Sequence, residues 1–197
     1  MTSPPLHLAS SSPRRVAILQ RMGLDFTSRG VDVDETPLSG ESAEAMVLRL
    51  AEKKAKAADC AADVVVIGAD TAVVLDGVVF GKPTDRNDAL GMLGRLSGRS
   101  HEVLTGIAVL SGDTLRTAVS VTNVTFREID PDEALEYWQS GEPQDKAGAY
   151  AIQGGAGDFV VAVEGSYSGV VGLPVFEIAR LLQLAGINIP AEVKDEI

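Results

Sequence analysis

The run Asp63-Val-Val-Val-Ile-Gly-Ala-Asp70 constrains the fold of this chain most. It has no polar face, so a strand built from it must be covered on both sides. That is the position of a central strand in an α/β sheet. The pattern predicts that the strand ends in Gly68-Ala-Asp-Thr71. Asp70 then sits at the carboxyl end of a buried strand, where open α/β sheets present their ligands. The competing reading of Asp70 as a turn former is weakened by the apolar runs that abut it on both sides.

Helices able to cover such a strand are legible on either side of it. Between Ser42 and Ala58, Ala43, Met46, Val47, Leu50 and Ala51 recur at i, i+3, i+4, i+7 and i+8, a complete apolar stripe. Lys54 is the next member of that stripe, in the middle of the face expected to be buried. Two readings stay open there: the lysine snorkels past the end of the core, or it points into a cleft that needs a cation. Further helices are expected over Pro13–Met22, Asp85–Leu96, Pro131–Ser140 (capped by Asp130) and Pro174–Ala185, with Gly23 and Gly186 as stops.

Strands are expected over Pro5–Ser10, Leu24–Ser28, Ala72–Leu75, Val78–Phe80 and Phe159–Glu164. Asp76-Gly77 is the pair expected in a tight hairpin turn. His101–Leu110 and Thr114–Glu128 read as long antiparallel strands of a half-exposed sheet. Gly30–Gly40 is a loop rich in Asp, Glu and Pro, and Gly141–Gly155 and Gly165–Pro174 are Gly-rich connections. No linker or repeat divides the chain, so residues 1–197 are expected to form one α/β domain, with a cleft between two lobes.

Composition narrows the function. The net charge of −11 over 197 residues argues against general binding to nucleic acid or to a membrane surface, where a basic face supplies the affinity. The single cysteine, Cys60, excludes a disulfide framework or a cysteine-rich zinc site, and it reads as packing. No apolar run approaches the roughly 20 residues of a membrane span, and the first residues lack a leader pattern. The expected compartment is the cytoplasm. His7 and His101 stand alone and read as structural.

Leu8-Ala-Ser-Ser-Ser-Pro-Arg-Arg15 is the main candidate for a ligand site. Ser12 is a good helix N-cap and Pro13 suits the first helical position. Backbone N–H groups, the helix dipole, the hydroxyls of Ser10 and Ser12 and the guanidinium groups of Arg14 and Arg15 then converge on an anion, most simply a phosphate. Lys54 and Lys82, and on one reading Lys146, add cations. Together they suit the charge of a triphosphate. Glu35 and Asp70 form a carboxylate pair suited to Mg²⁺, which binds through one or two carboxylates plus substrate phosphates. Neither a Walker A sequence nor a dinucleotide-binding glycine fingerprint is present. From the residues alone, the reading is a phosphorylated small ligand and metal-assisted hydrolysis.

A resemblance takes the reading further. The sequence resembles the Maf family of nucleoside triphosphate pyrophosphatases, once described as septum-formation inhibitors. The match runs through Leu8–Arg15, Asp34-Glu35, the helix with Lys54, Gly68-Ala-Asp-Thr71, Gly81-Lys-Pro83, Asp145–Gly154 and Gly165–Pro174. The resemblance implies an inosine-triphosphatase-like α/β fold with a long mixed twisted sheet, helices, a central cleft and commonly a homodimer. It implies cleavage of a nucleoside triphosphate to monophosphate and pyrophosphate, with a divalent metal cation (Mg²⁺ or Mn²⁺).

Asp70 matches the family's proton acceptor. Arg14, Thr71 and Gln153 match the positions that separate its subfamilies, and the subfamily acting on dTTP and UTP carries these three residue types. A subfamily acting on 7-methyl-GTP carries an aromatic, Gln and Glu instead. On this reading Arg14, Arg15, Lys54 and Lys82 hold phosphates, and Glu35 and Asp70 hold the metal. Whether Asp70 is chiefly base or chiefly ligand stays open, as do turnover of 7-methyl-GTP or a modified pyrimidine and nucleotide binding without turnover.

Overall fold

The computed structural model describes residues 3–190; the ends of the expected 1–197 domain lie outside the described residues. The elements, in order, are β1 (Leu6–Leu8), α1 (Pro13–Arg21), β2 (Thr27–Ser28), α2 (Ala43–Ala57), β3 (Val65–Leu75), β4 (Val78–Phe80), α3 (Arg86–Leu96), β5 (Ser100–Ser111), β6 (Thr114–Phe126), α4 (Pro131–Gln139), β7 (Val160–Glu164), α5 (Tyr167–Val171) and α6 (Val175–Leu184). Short 3-10 turns lie between α4 and β7. The strands form one seven-stranded sheet in the order β2-β1-β3-β5-β6-β7, with β4 paired to β3. β1 is parallel to β2 and β3, whereas β3–β4 and β6–β7 are antiparallel. The mixed α/β sheet matches the expected fold class.

Two compact units divide the chain. The first holds the residues up to Asp70, Thr105–Ser120 and the chain from Gly172 onward. Its core includes Leu8, Leu19, Val47, Val65, Ile67, Ile107, Leu173, Ile178 and Leu182, all almost inaccessible to solvent. Two glycines let α2 lie directly on the strands. A Cβ at Gly68 would come within 2.1 Å of the Ala51 carbonyl oxygen, and one at Gly106 within 2.5 Å of the Val47 backbone. The buried alanines Ala51 and Ala55 complete this close approach, with Cys60 half-buried against them.

The second unit holds Thr71–Leu104 and Val121–Val171. Its interior is aromatic. Phe126 packs edge-on against His101, Tyr150 and Phe159, and Tyr137 packs edge-on against Phe159. His101 is buried and its Nε2 lies 2.8 Å from the Tyr150 hydroxyl. Burial lowers its pKa to about 4, which agrees with the structural role expected for it.

Several expectations are corrected. β3 does not end at Asp70; it continues without a break to Leu75, so Asp70 stands inside the strand and not at its carboxyl end. Gly68 serves the contact with α2 and terminates nothing. β5 is buried on both faces from Val103 to Val109, not half-exposed, because Gly106 admits α2. The Gly165–Pro174 connection contains a short helix, α5. The Asp76-Gly77 turn is as expected: both residues have positive φ (53° and 74°) and join β3 to β4.

Candidate active site

The first unit gathers most of the expected polar residues. β1 leads into Ser10, which is 8% exposed, and then into α1 with Pro13 in its first turn. Ser12 is the N-cap by position, yet its hydroxyl caps nothing. Instead its N–H donates to Ser10 Oγ at 3.2 Å, so the serine that organises this loop is Ser10. Arg15 Nη1 also donates to Ser10 Oγ, at 3.3 Å, and Arg15 Nε donates to the Gly172 carbonyl at 2.8 Å. These contacts fix the guanidinium before any ligand arrives. Arg14 and Arg15 are both half-buried.

α2 supplies Lys54 from its buried stripe. The Ser42 hydroxyl caps the helix by accepting from the Ala45 N–H. The Lys54 side chain is 12% exposed, and its Nζ lies 2.6 Å from Asp70 Oδ1 and 2.6 Å from Glu35 Oε1. The ammonium does not snorkel to solvent; it meets two carboxylates. The Asp70 side chain is 13% exposed, whereas that of Glu35 is half-exposed. Burial pushes the Asp70 carboxyl above the usual carboxylate range; Lys54 and Arg15 pull it down, and Glu35 pushes it up. A buried carboxylate with a raised pKa is a better proton acceptor than a solvated one.

Sequence reasoning missed how the Glu35 loop is held. Arg49, one turn before Lys53 on α2, forms a forked pair with Glu41 at 2.5 and 2.6 Å and donates to the Thr36 carbonyl at 3.3 Å. Lys53 Nζ reaches the Asp34 carbonyl at 3.4 Å, and Asp34 Oδ1 accepts from the Thr36 N–H at 2.9 Å. Helix α2 thus positions Glu35 from its flank while presenting Lys54 from its stripe. Arg49 carries a signal in hindsight: it lies beside the apolar stripe, facing an acidic loop with no regular structure.

The remaining expected residues belong to the second unit. Thr71 follows Asp70 in β3 and is half-buried. Lys82 follows β4 and is exposed. Lys146 forms an ion pair with its neighbour Asp145. Gln153 is exposed at the tip of a turn closed by the Gly154 N–H on the Ala151 carbonyl at 3.0 Å.

The donors available to a metal are two carboxylates turned on one ammonium. Among the described residues no group of three or more His, Cys, Asp or Glu could hold an ion. Two hard oxygen donors fit Mg²⁺ or Mn²⁺, which complete their shells with water and substrate phosphate. No helix among the described residues is long and apolar enough to cross a membrane.

A carboxylate flanked by a held guanidinium and an ammonium has the groups to act on an anionic substrate. The comparisons with known proteins agree with that class. The model for Maf-like proteins matches residues 5–185, and the chain belongs to this family. It is 52% identical over 185 residues to a dTTP/UTP pyrophosphatase of Methylococcus capsulatus, covering 93% of this chain and 92% of that one. It is 50% identical over 186 residues to a dTTP/UTP pyrophosphatase of Alkalilimnicola ehrlichii, covering 91% and 92%. Among solved structures, the Ham1 protein of Staphylococcus aureus aligns with a TM-score of 0.43 at 17% identity, over 62% of this chain and 71% of that one. That alignment is too partial to argue from.

Proposed function

We propose that this protein hydrolyses dTTP and UTP, and related pyrimidine triphosphates, to the nucleoside monophosphate and pyrophosphate. The geometry supports the chemistry through one observation: Asp70, half-buried in β3, faces the Lys54 ammonium at 2.6 Å with Glu35 on the same nitrogen. The relatives at about half identity support the substrate.

In the reaction, water adds to phosphorus and the bridging P–O bond between the α and β phosphates breaks. Pyrophosphate leaves, and the proton from water passes to an Asp70 carboxylate oxygen. Arg14, Arg15 and Lys54 bind phosphate oxygens and stabilise the charge that grows on the leaving group, with Lys82 as a further cation. Ser10 orients Arg15, and Ser10 and Ser12 line the phosphate end of the site. Mg²⁺ or Mn²⁺ bound at Glu35 and Asp70 would screen the phosphate charge. Gln153, whose amide both donates and accepts, reads an edge of the pyrimidine, with Arg14 and Thr71 completing the preference. The substrate comes from the cytoplasmic nucleotide pool, and a second copy of the chain completes a homodimer.

The test is pyrophosphate release with Mg²⁺ across dTTP, UTP, 7-methyl-GTP and purine triphosphates. The expected result is turnover of dTTP and UTP above the others. Preference for 7-methyl-GTP, or binding of dTTP without products, would overturn the assignment.

A further inference from the structure

The turn that carries Gln153 is held by a hydrogen-bond network of its own. Tyr137, on α4, is 7% exposed. Its hydroxyl accepts from the Ala151 N–H at 3.0 Å and donates to Glu142 Oε1 at 2.5 Å. The other oxygen of Glu142 accepts from the Gly155 N–H at 3.3 Å. Ala151 and Gly155 flank the turn, so one tyrosine and one carboxylate grip both of its ends. Between them, the Gly154 N–H closes on the Ala151 carbonyl. Ala151 and Ile152 are buried, whereas Gln153 is exposed.

Two glycines show how tightly the parts fit. A Cβ at Gly154 would lie 2.0 Å from Glu142 Oε2, and one at Gly155 would lie 3.3 Å from the Tyr137 ring. Gly154 follows Gln153 directly and Gly155 comes next, so a side chain at Gly154 would displace the Glu142 carboxylate and one at Gly155 would press on the Tyr137 ring. The Tyr137 ring is itself held edge-on by Phe159 at 5.5 Å between centroids. These bonds fix the backbone on either side of Gln153, and so the direction from which its side chain leaves the turn.

We infer that Tyr137 and Glu142 are positioning residues for Gln153, and that they set discrimination between nucleobases rather than the rate of phosphate chemistry. This rests on the reading above, in which Gln153 meets the base. Removing the tyrosine hydroxyl frees one end of the turn. The Gln153 amide then samples several directions, and a directional hydrogen bond to the base weakens while charge contacts to the phosphates persist. Glu142→Gln leaves one acceptor oxygen where two donors, the Tyr137 O–H and the Gly155 N–H, each had one, so one of the two bonds is lost.

The experiment measures kcat and KM for dTTP and dGTP in the wild type, Tyr137→Phe, Glu142→Gln, Gln153→Ala and the double variant Tyr137→Phe/Gln153→Ala. We expect Tyr137→Phe to raise KM for dTTP about tenfold, the value of one weakened hydrogen bond to an otherwise satisfied site, with kcat nearly unchanged. KM for dGTP should move far less. Glu142→Gln should act in the same direction. In the Gln153→Ala background, Tyr137→Phe should have no further effect on the dTTP/dGTP ratio, because the group it positions is gone.

Equal losses for dTTP and dGTP, a fall in kcat alone, or additive effects in the double variant would overturn the inference and leave the proposed function standing. A wild type without preference for dTTP, or a Gln153→Ala variant that keeps that preference, would overturn the reading of Gln153 and the inference with it. Unequal failure of the two single variants to fold is covered by scoring whichever is soluble.

Discussion

The surroundings of Asp70 and of Gln153 are built in opposite ways. Asp70 stands inside β3, and its cation, Lys54, comes from the buried stripe of α2. Charge is packed there into regular structure, with Gly68 drawing helix and strand together. Gln153 stands on an irregular turn whose ends are held by Tyr137 and Glu142. Phosphate chemistry is the same for every nucleotide and benefits from a rigid, partly desolvated field. Recognition of a base depends on the direction of a few hydrogen bonds, which a turn can set without disturbing that field.

The largest expected effect separates the two. Asp70→Asn should lower kcat for dTTP by about 10³-fold, within the range for loss of a positioned proton acceptor, while the ratio of Kd values for dTTP and dGTP stays as in the wild type. Loss of that ratio would mean that the two regions are not separable.

Gly68→Ala tests the packing beneath Asp70. Its Cβ would meet the Ala51 carbonyl at 2.1 Å, and backbone on both sides has no room to yield. A loss of about 3 kcal/mol in denaturant unfolding is expected. Gly91→Ala, where nothing lies within 4 Å of the added methyl, provides the control.

The interior of the second unit responds to pH. His101 has a folded-state pKa of about 4, below its ordinary 6.5, because burial disfavours its charge. The unfolded chain therefore binds more protons between these values, and stability falls with falling pH. The contribution is fully present above about pH 6.5 and lost towards pH 4, a difference of about 3 kcal/mol. His101→Gln, which takes up no proton there, should flatten the profile measured by urea unfolding at both pH values.

A smaller effect reports the coupling at Asp70. The Lys54 charge lowers the Asp70 carboxyl pKa against the rise caused by burial. Lys54→Met should move the acid limb of the kcat/KM profile to higher pH, because an adjacent opposite charge that favours the carboxylate is lost. A limb that moves down would break this account of the site.

Much of this arrangement was legible in the sequence because it follows from periodicity. The apolar run at Val64–Ile67 marked the buried strand, and a rotation of about 100° per residue placed Lys54 on the buried face of α2. Gly68 and Asp70 were misleading for a physical reason. Both residue types punctuate chains, and a glycine required by close helix packing looks the same as one required by a turn. Gly106 concealed the burial of β5 in the same way. Ser12 has the residue type and position of a cap, but its hydroxyl forms no cap bond, and Ser10 organises the loop. The clamp on Gln153 joins residues from α4, a 3-10 turn and a loop, and no periodicity relates them.

Pyrophosphate hydrolysis of a pyrimidine triphosphate is decided by its products. Phosphorus NMR of purified protein turning over dTTP with Mg²⁺ should show dTMP and pyrophosphate appearing in equal amounts, with no dTDP. Appearance of dTDP and inorganic phosphate, or a dTTP spectrum unchanged while the nucleotide is bound, would contradict the account.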